Sequence, residues 1–479
     1  MRLPLVAVLL ALPAAGCARN RAVRAGDSAL IGRILLAEDR RDTSDAALAE
    51  GSAHADARVR VLARRALGRI RDPRFATRDS LPPLRAPPAW MEPVWRLRYR
   101  RLAEERNDCG ALRAALADSA WPVRLHAADL AGPSCAADES IAATLREWVD
   151  ALPTDVSCRK PGGVSWHAAA HGAVALARLR PDESRARVGR LATHGQWQVR
   201  LYATRAAAIL GDTSRLRALA RDTDDNVKEA AIESLGKLTG HDDDEVFLDG
   251  LRAEGAQAVR AAAIALKGSP RAEVRAAASA AFERWVARAT ASARDARVAL
   301  LEAAGRPASD DRPPAVRAEL APETVALALG ANIRLRVTMA ESSGGGSFAV
   351  QLRGDVAPIM AGRILALARA GYYDGLTWHR VEHDFVIQGG SPAASEYVGH
   401  RQFLRDEVGT VPHLRGTVGM STRGHDTGDA QWFVNLRDNQ RLGRDYTVFA
   451  EVVEGIDVVD GILEGDVIST IADARSGPR

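Results

Sequence analysis

The sequence predicts a multidomain chain, an α-helical repeat array followed by a β-rich domain. Three observations predict it. A helical phrase rich in Ala, Leu and Arg recurs over residues 56 to 304. The segment from Thr324 onward holds 21 of the 40 Gly and five of the eight Phe in about a third of the length. A Pro-containing stretch lies between the two. The 479 residues exceed what one compact core accommodates. Apolar residues at 47% and charged residues at 26% exclude a disordered chain, a collagen and a polytopic membrane protein. The net charge of +4 comes from Arg spread along the chain, without the basic stripe of a dedicated nucleic-acid binder.

At the amino terminus, Met1-Arg2 precedes an apolar run from Leu3 to Leu12 and the small residues before Cys17. This order reads as a secretory signal over residues 1–17. The run is too short to span a bilayer as a stable helix. Ala14-Ala15-Gly16-Cys17 resembles a bacterial lipobox, with Ala14 where Leu is usual. The resemblance implies acylation of Cys17 and a membrane anchor; ordinary cleavage after Gly16 is the alternative. The expected location is the cell envelope, on the periplasmic side of the outer membrane. An oxidising compartment permits one disulfide among Cys109, Cys135 and Cys158. Spacing does not choose the pair, and buried free thiols are the other reading.

The array occupies residues 18–304. The phrase appears at residues 56–68, 121–132, 197–211, 225–236 and 257–266, with weaker copies near Trp166, Val274 and Val298. The anchors Val199, Val227 and Val259 lie 28 and 32 residues apart, a solenoid period. Within a copy, Val227, Ala231 and Leu235 share one helix face. An Asp or Asn before the Val fits an N-cap, and a Gly after the Leu fits a C-cap. The pattern resembles the HEAT family, whose antiparallel helix pairs stack into a superhelix. That resemblance implies a face for a protein partner; a passive spacer is the other reading. Six Pro between Asp72 and Pro93 predict a loop or crossover. His167 and His171 are one helical turn apart but lack a third ligand, and the acidic runs 222–226 and 241–245 lack the spacing of a calcium loop. No metal is assigned to them.

Residues 305–323 read as a linker. The period then changes. Residues 333–339 and 347–352 alternate as strands around Gly344-Gly345-Gly346, a hairpin. Residues 355–369 form an amphipathic helix with Pro358 in its first turn and Gly371 beyond its end. Short strands with Gly-rich loops follow to residue 474, and residues 475–479 are a tail.

Within this domain, residues 371–381 (through Trp378-His379-Arg380) and 385–390 (Phe385 to Gly390) resemble the signature of the cyclophilin-type peptidyl-prolyl isomerases. Residues 416–422, 430–434 and 446–449 continue the pattern in the family's order. The resemblance covers residues 325 to 472. It implies a closed eight-stranded antiparallel barrel capped by two helices, with the substrate groove on the outside. It implies cis–trans isomerisation of X-Pro bonds in proline-containing polypeptides, with no metal, nucleotide or other cofactor.

A catalyst of that reaction needs to break no bond. It must stabilise a twisted amide with a localised nitrogen lone pair, against a barrier of roughly 18–20 kcal/mol. A permanently charged, rigid donor suits this. By the resemblance, Arg380, Phe385 and Gln388 are catalytic. Val386, Ser421, Thr422, Gln431, Phe433, Leu442 and Tyr446 bind substrate. His379 is read as a structural His rather than a general base. Val386, Thr422, Arg441 and Tyr446 depart from the commonest family residues, which points to a slower or more selective enzyme. The competing reading is a non-catalytic scaffold whose array recruits a partner and whose barrel only binds proline segments. An envelope assembly factor needing both parts is a third.

Overall fold

A computed structural model of the chain describes residues 25–71, 88–152, 165–312, 320–321, 323–409 and 411–474. The leader with Cys17, and Cys158, lie outside the described residues. Of the cysteines within them, Cys109 and Cys135 form a disulfide, with 5.5 Å between their Cα atoms.

The repeats form a helical solenoid. The helices Trp166–Leu179, Trp197–Ile209, Asp225–Thr239, Ala256–Leu266 and Arg294–Ala303 stack side by side as an inner row. Pro181–Leu191, Thr213–Leu219, Asp244–Gly250 and Glu273–Ala287 alternate with them outside. Buried Ala residues, such as Ala203, Ala207, Ala231 and Ala262, let neighbouring helices approach closely. The caps differ from the expected ones by a few residues. The side chain of Asp224, three residues before Val227, accepts from the backbone N–H groups of Asn226 and Val227. Gly236 does not end its helix, which runs on to Thr239 and stops at Gly240 with φ 56°. The room at Gly236 serves packing: a Cβ there would lie 3.3 Å from that of Ala265.

The carboxy-terminal domain carries eight strands, β1 (Arg334–Met339), β2 (Ser347–Leu352), β3 (Arg380–Val381), β4 (Val386–Gly389), β5 (Thr417–Met420), β6 (Trp432–Asn435), β7 (Val448–Glu454) and β8 (Ile468–Asp473). They form one sheet in the order β3-β4-β6-β5-β7-β2-β1-β8, and its paired strands are antiparallel. The helices Pro358–Arg369 and Ile456–Gly461 pack on it. The closed barrel expected from the sequence is corrected to an open half-barrel. The reason is local. β3 is two residues long, and the chain before it pairs with residues 465–468 only over a short stretch, through the Thr377–Val467 bridge and the backbone hydrogen bonds beside it, rather than through a full strand.

Among the described residues, two large apolar clusters hold the molecule. One runs through the solenoid from Leu102 to Ala303. The other joins the sheet to the helices of residues 25–71: Ile31, Ile34, Leu35 and Leu62 share a cluster with Leu335, Phe348, Trp378 and Trp432. Residues 25–71 therefore pack with the β domain, although their sequence continues the repeat phrase. A buried charge network ties them there. Arg69 binds Glu38 at 2.9 Å and donates to the carbonyls of Val356, Glu407 and Val408. Burial pushes the Glu38 carboxyl up, but Arg65 and Arg69 outweigh it and hold it below the usual carboxylate range.

The solenoid's inner row also meets the β domain. The Tyr202 hydroxyl donates to Glu464 at 2.8 Å, and Asn226 Nδ2 donates to the Ala393 carbonyl at 3.0 Å. The Arg260 guanidinium lies 3.8 Å over the Tyr397 ring. His167 Nε2 contacts the Glu464 carbonyl at 2.6 Å, and His171 sits between Asp129 and Tyr202.

Candidate active site

Strand pairing builds the site. Arg380 on β3 lies opposite Gln388 on β4, and Gln388 lies opposite Phe433 on β6. Val386 and Gln388, two apart, share one face of β4. Phe385 enters just before β4, Ser421 and Thr422 follow β5, and Leu442 and Tyr446 come from the turn ahead of β7. Nine of the ten positions singled out in the sequence (Arg380, Phe385, Val386, Gln388, Ser421, Thr422, Phe433, Leu442 and Tyr446) line one cavity of about 170 Å³.

The floor of that cavity is apolar and fixed. Phe433 is buried, packs edge-on to Tyr446 and stacks on His413. Gly419, opposite Phe433 on β5, leaves room for the ring, because a Cβ there would come within 2.4 Å of Cζ. His413 is oriented by the Tyr446 carbonyl and Asn435, and burial pushes its pKa down.

The rim is cationic and half-exposed. Arg380 donates through Nε to Glu382 at 2.9 Å and through a terminal nitrogen to Gln388 Oε1 at 3.4 Å. It also pairs with Glu396 at 3.3 Å. Its guanidinium carbon lies 6.0 Å from the Phe385 ring centre, and that of Arg441 lies 4.5 Å from the same ring. Two carboxylates and an amide thus hold a permanent charge at the edge of an aromatic cup.

Gln431 is the position that the structure does not bring into the cavity wall. It is buried behind it. Its Oε1 accepts from Gln388 Nε2 at 3.2 Å, and its Nε2 donates to the carbonyls of Glu396 and Val398. It braces Gln388, which in turn touches Arg380. His379 faces away from the cup, toward the solenoid. Burial pushes its pKa down to about 4, so it is neutral at pH 7.

The wall contains two further residues, Glu396 and Arg423. Arg423 belongs to the loop already marked by Ser421 and Thr422. It also ion-pairs with Asp295 of the solenoid and donates to the Ser292 carbonyl at 3.1 Å. Glu396 reaches the site through the fold of the loop after β4, which carried no signal in the sequence.

Both parts of the chain are similar to known proteins. The family model "Cyclophilin type peptidyl-prolyl cis-trans isomerase/CLD" matches residues 336–475, and that of HEAT repeats matches residues 190–267. A peptidyl-prolyl cis-trans isomerase of Helicobacter pylori is 36% identical over 135 residues, 27% of this chain and 83% of that protein. The chain belongs to the cyclophilin-type peptidyl-prolyl cis-trans isomerases. Peptidyl-prolyl cis-trans isomerase B of Bacillus subtilis is 33% identical over 129 residues, 26% of this chain and 90% of that isomerase. A solved cyclophilin-type isomerase of Cryptosporidium parvum superposes with a TM-score of 0.28 at 22% identity, covering 31% of this chain and 100% of that one. The cyclophilin domain here is preceded by HEAT repeats and shares its core with the helices of residues 25–71.

Proposed function

We propose that this isomerase turns X-Pro bonds of exported proteins and assists their folding in the cell envelope, held at the periplasmic side of the outer membrane by a lipid on Cys17. The arrangement of the Arg380 guanidinium at the lip of the Phe385–Phe433 cup carries the catalytic part. The cup grips the proline ring. Arg380 donates toward the imide nitrogen as conjugation with the carbonyl is lost, so the perpendicular state is stabilised more than either planar one. Gln388 orients the Arg and the substrate backbone, with Gln431 behind it. Ser421 and Thr422 hold the residues before the proline. No group needs to titrate, because the cation is permanent and His379 is neutral.

Export is supported by the signal-like leader and by the Cys109–Cys135 disulfide, a bond that persists in oxidising compartments. Mass measurement of the mature amino terminus tests the anchor: an acylated Cys17 is expected, and an unmodified amino terminus beyond Gly16 removes it.

The full-length protein and its Arg380→Ala variant test the chemistry in a protease-coupled assay on a proline tetrapeptide. The variant is expected to lose orders of magnitude in kcat/KM with unchanged thermal unfolding. Equal turnover by the two proteins overturns the mechanism. Absent turnover in both, with peptide binding retained, favours the scaffold.

A further inference from the structure

The cavity described above does not end at Arg380. Arg380 and Glu396 also close one end of a second hollow, of about 460 Å³, whose far wall is the solenoid. Glu229, Glu233 and Ser234 of the helix Asp225–Thr239 face it. Trp197, Asn226 and Ala394 carry it into a third hollow, of about 330 Å³, between the inner helices and the segment Gly375–Thr377. Through these shared walls the three lie side by side as a compartmented cleft, from the aromatic cup to the solenoid's inner row, with the Arg380–Glu396 pair between the first two.

The far end of that cleft is a built polar site. Gln257 is 1% exposed, yet it lines the hollow. Its Nε2 donates to Asn226 Oδ1 at 3.4 Å, and Asn226 donates in turn to the Ala393 carbonyl. That leaves Gln257 Oε1 buried without a hydrogen-bond partner, and Thr377 Oγ1 across the hollow is in the same position. A buried acceptor without a donor is unfavourable, so this oxygen calls for an N–H group from a ligand. The charges along the cleft are mixed, with Arg205 and Lys237 beside Glu229 and Glu233. Such a lining suits main-chain recognition more than selection of one charged side chain.

We propose that the cleft is a second part of the substrate site: the solenoid holds the extended polypeptide adjoining the X-Pro bond, and Gln257 Oε1 accepts one of its backbone N–H groups. This rests on the isomerase reading of the Arg380 cavity. A short peptide fills the cup alone, whereas a long unfolded segment also fills the cleft.

The test uses full-length protein, a proline tetrapeptide, and a long fluorescein-labelled unstructured peptide with one central proline. Turnover of both and affinity for the long one are measured for the wild type, Gln257→Leu and Ser234→Trp, the last placing bulk in the second hollow. The long peptide is expected to show the higher kcat/KM. Gln257→Leu is expected to lose about tenfold in affinity for it, the scale of one buried hydrogen bond, and Ser234→Trp to lose at least as much by filling the hollow, while tetrapeptide turnover is unchanged in both. Wild-type affinity for the long peptide in both variants overturns the cleft and leaves the isomerase intact. Weakened binding by the variants of a protein that turns over neither peptide upholds the cleft and overturns the isomerase. Should Gln257→Leu fail to fold, Ser234→Trp decides alone.

Discussion

Arg96, on the helix Val94–Glu104, reaches Asp460 of the isomerase domain at 2.8 Å, with 0% and 9% of the two side chains exposed. Its other nitrogens donate to the carbonyls of His383 and Leu436 at 2.8 and 2.7 Å. Arg415 approaches the same carboxylate, so one acid joins an arginine from each part of the chain. Breaking a buried pair from one side costs about 3–5 kcal/mol, because the remaining polar groups lose their partner. Arg415 stays on Asp460, so Arg96→Met is expected to cost about 3 kcal/mol, at the lower end of that range. An unchanged midpoint in chemical denaturation would show that the pair contributes nothing.

Gly419→Ala places a methyl group against the Phe433 ring. Overpacking of this kind costs about 1–3 kcal/mol. The ring lines the cavity, and a shift of it changes the cup, so kcat/KM on a proline tetrapeptide should fall together with stability. Normal kinetics in this variant would mean that the ring has another way to relax.

Stability should respond to pH through two buried groups of opposite sign. Burial pushes the His383 pKa down to about 3. The unfolded imidazole takes up a proton near pH 6.5, so the stability from His383 is complete above that pH and is lost as pH falls toward 3. Burial and the neighbouring Glu38 push Glu407 up to about 7. The folded chain keeps that proton where the unfolded chain has released it, so this stability is lost as pH rises from ~4.5 through 7. Comparing thermal unfolding at pH 5 and 7.5, His383→Phe should reduce the loss toward acid, and Glu407→Gln should reduce the loss toward base. Parallel curves for wild type and either variant would rule out that group.

The Cys109–Cys135 bond closes a loop of 26 residues at the start of the solenoid. Loop entropy assigns such a crosslink about 3.5 kcal/mol. The double variant Cys109→Ser, Cys135→Ser should unfold earlier by about that amount, and a reductant should have no further effect on it. Equal stability of the oxidised and reduced wild type would contradict this.

Much of the site was legible because its parts are close in the chain and repeat every second residue. Arg380, Val386 and Gln388 fall within nine residues on one β-hairpin, so their common face follows from the pleat. The solenoid was legible in the same way, from a period inside each helix. What the sequence did not carry was the meeting of distant segments. Arg65 bonds to the carbonyl of Asp355, 290 residues away, and Arg41 reaches Asp426, 385 away. Both look like ordinary surface arginines in a repeat. Helical spacing says that Ile31, Ile34 and Leu62 have an apolar side, but not which partner covers it. The half-barrel was missed for a related reason, since a pairing only a few residues long leaves no alternating pattern to read.

The shared core of residues 25–71 and the sheet sets a timetable for biogenesis. These helices leave the ribosome before the strands that shelter Ile31, Ile34 and Leu35. At ~5–20 residues per second, the wait is on the order of tens of seconds. During it the newborn chain offers bare aliphatic surface to holdases and proteases alike. A nascent chain arrested before residue 334 would be left with residues 25–71 unsealed.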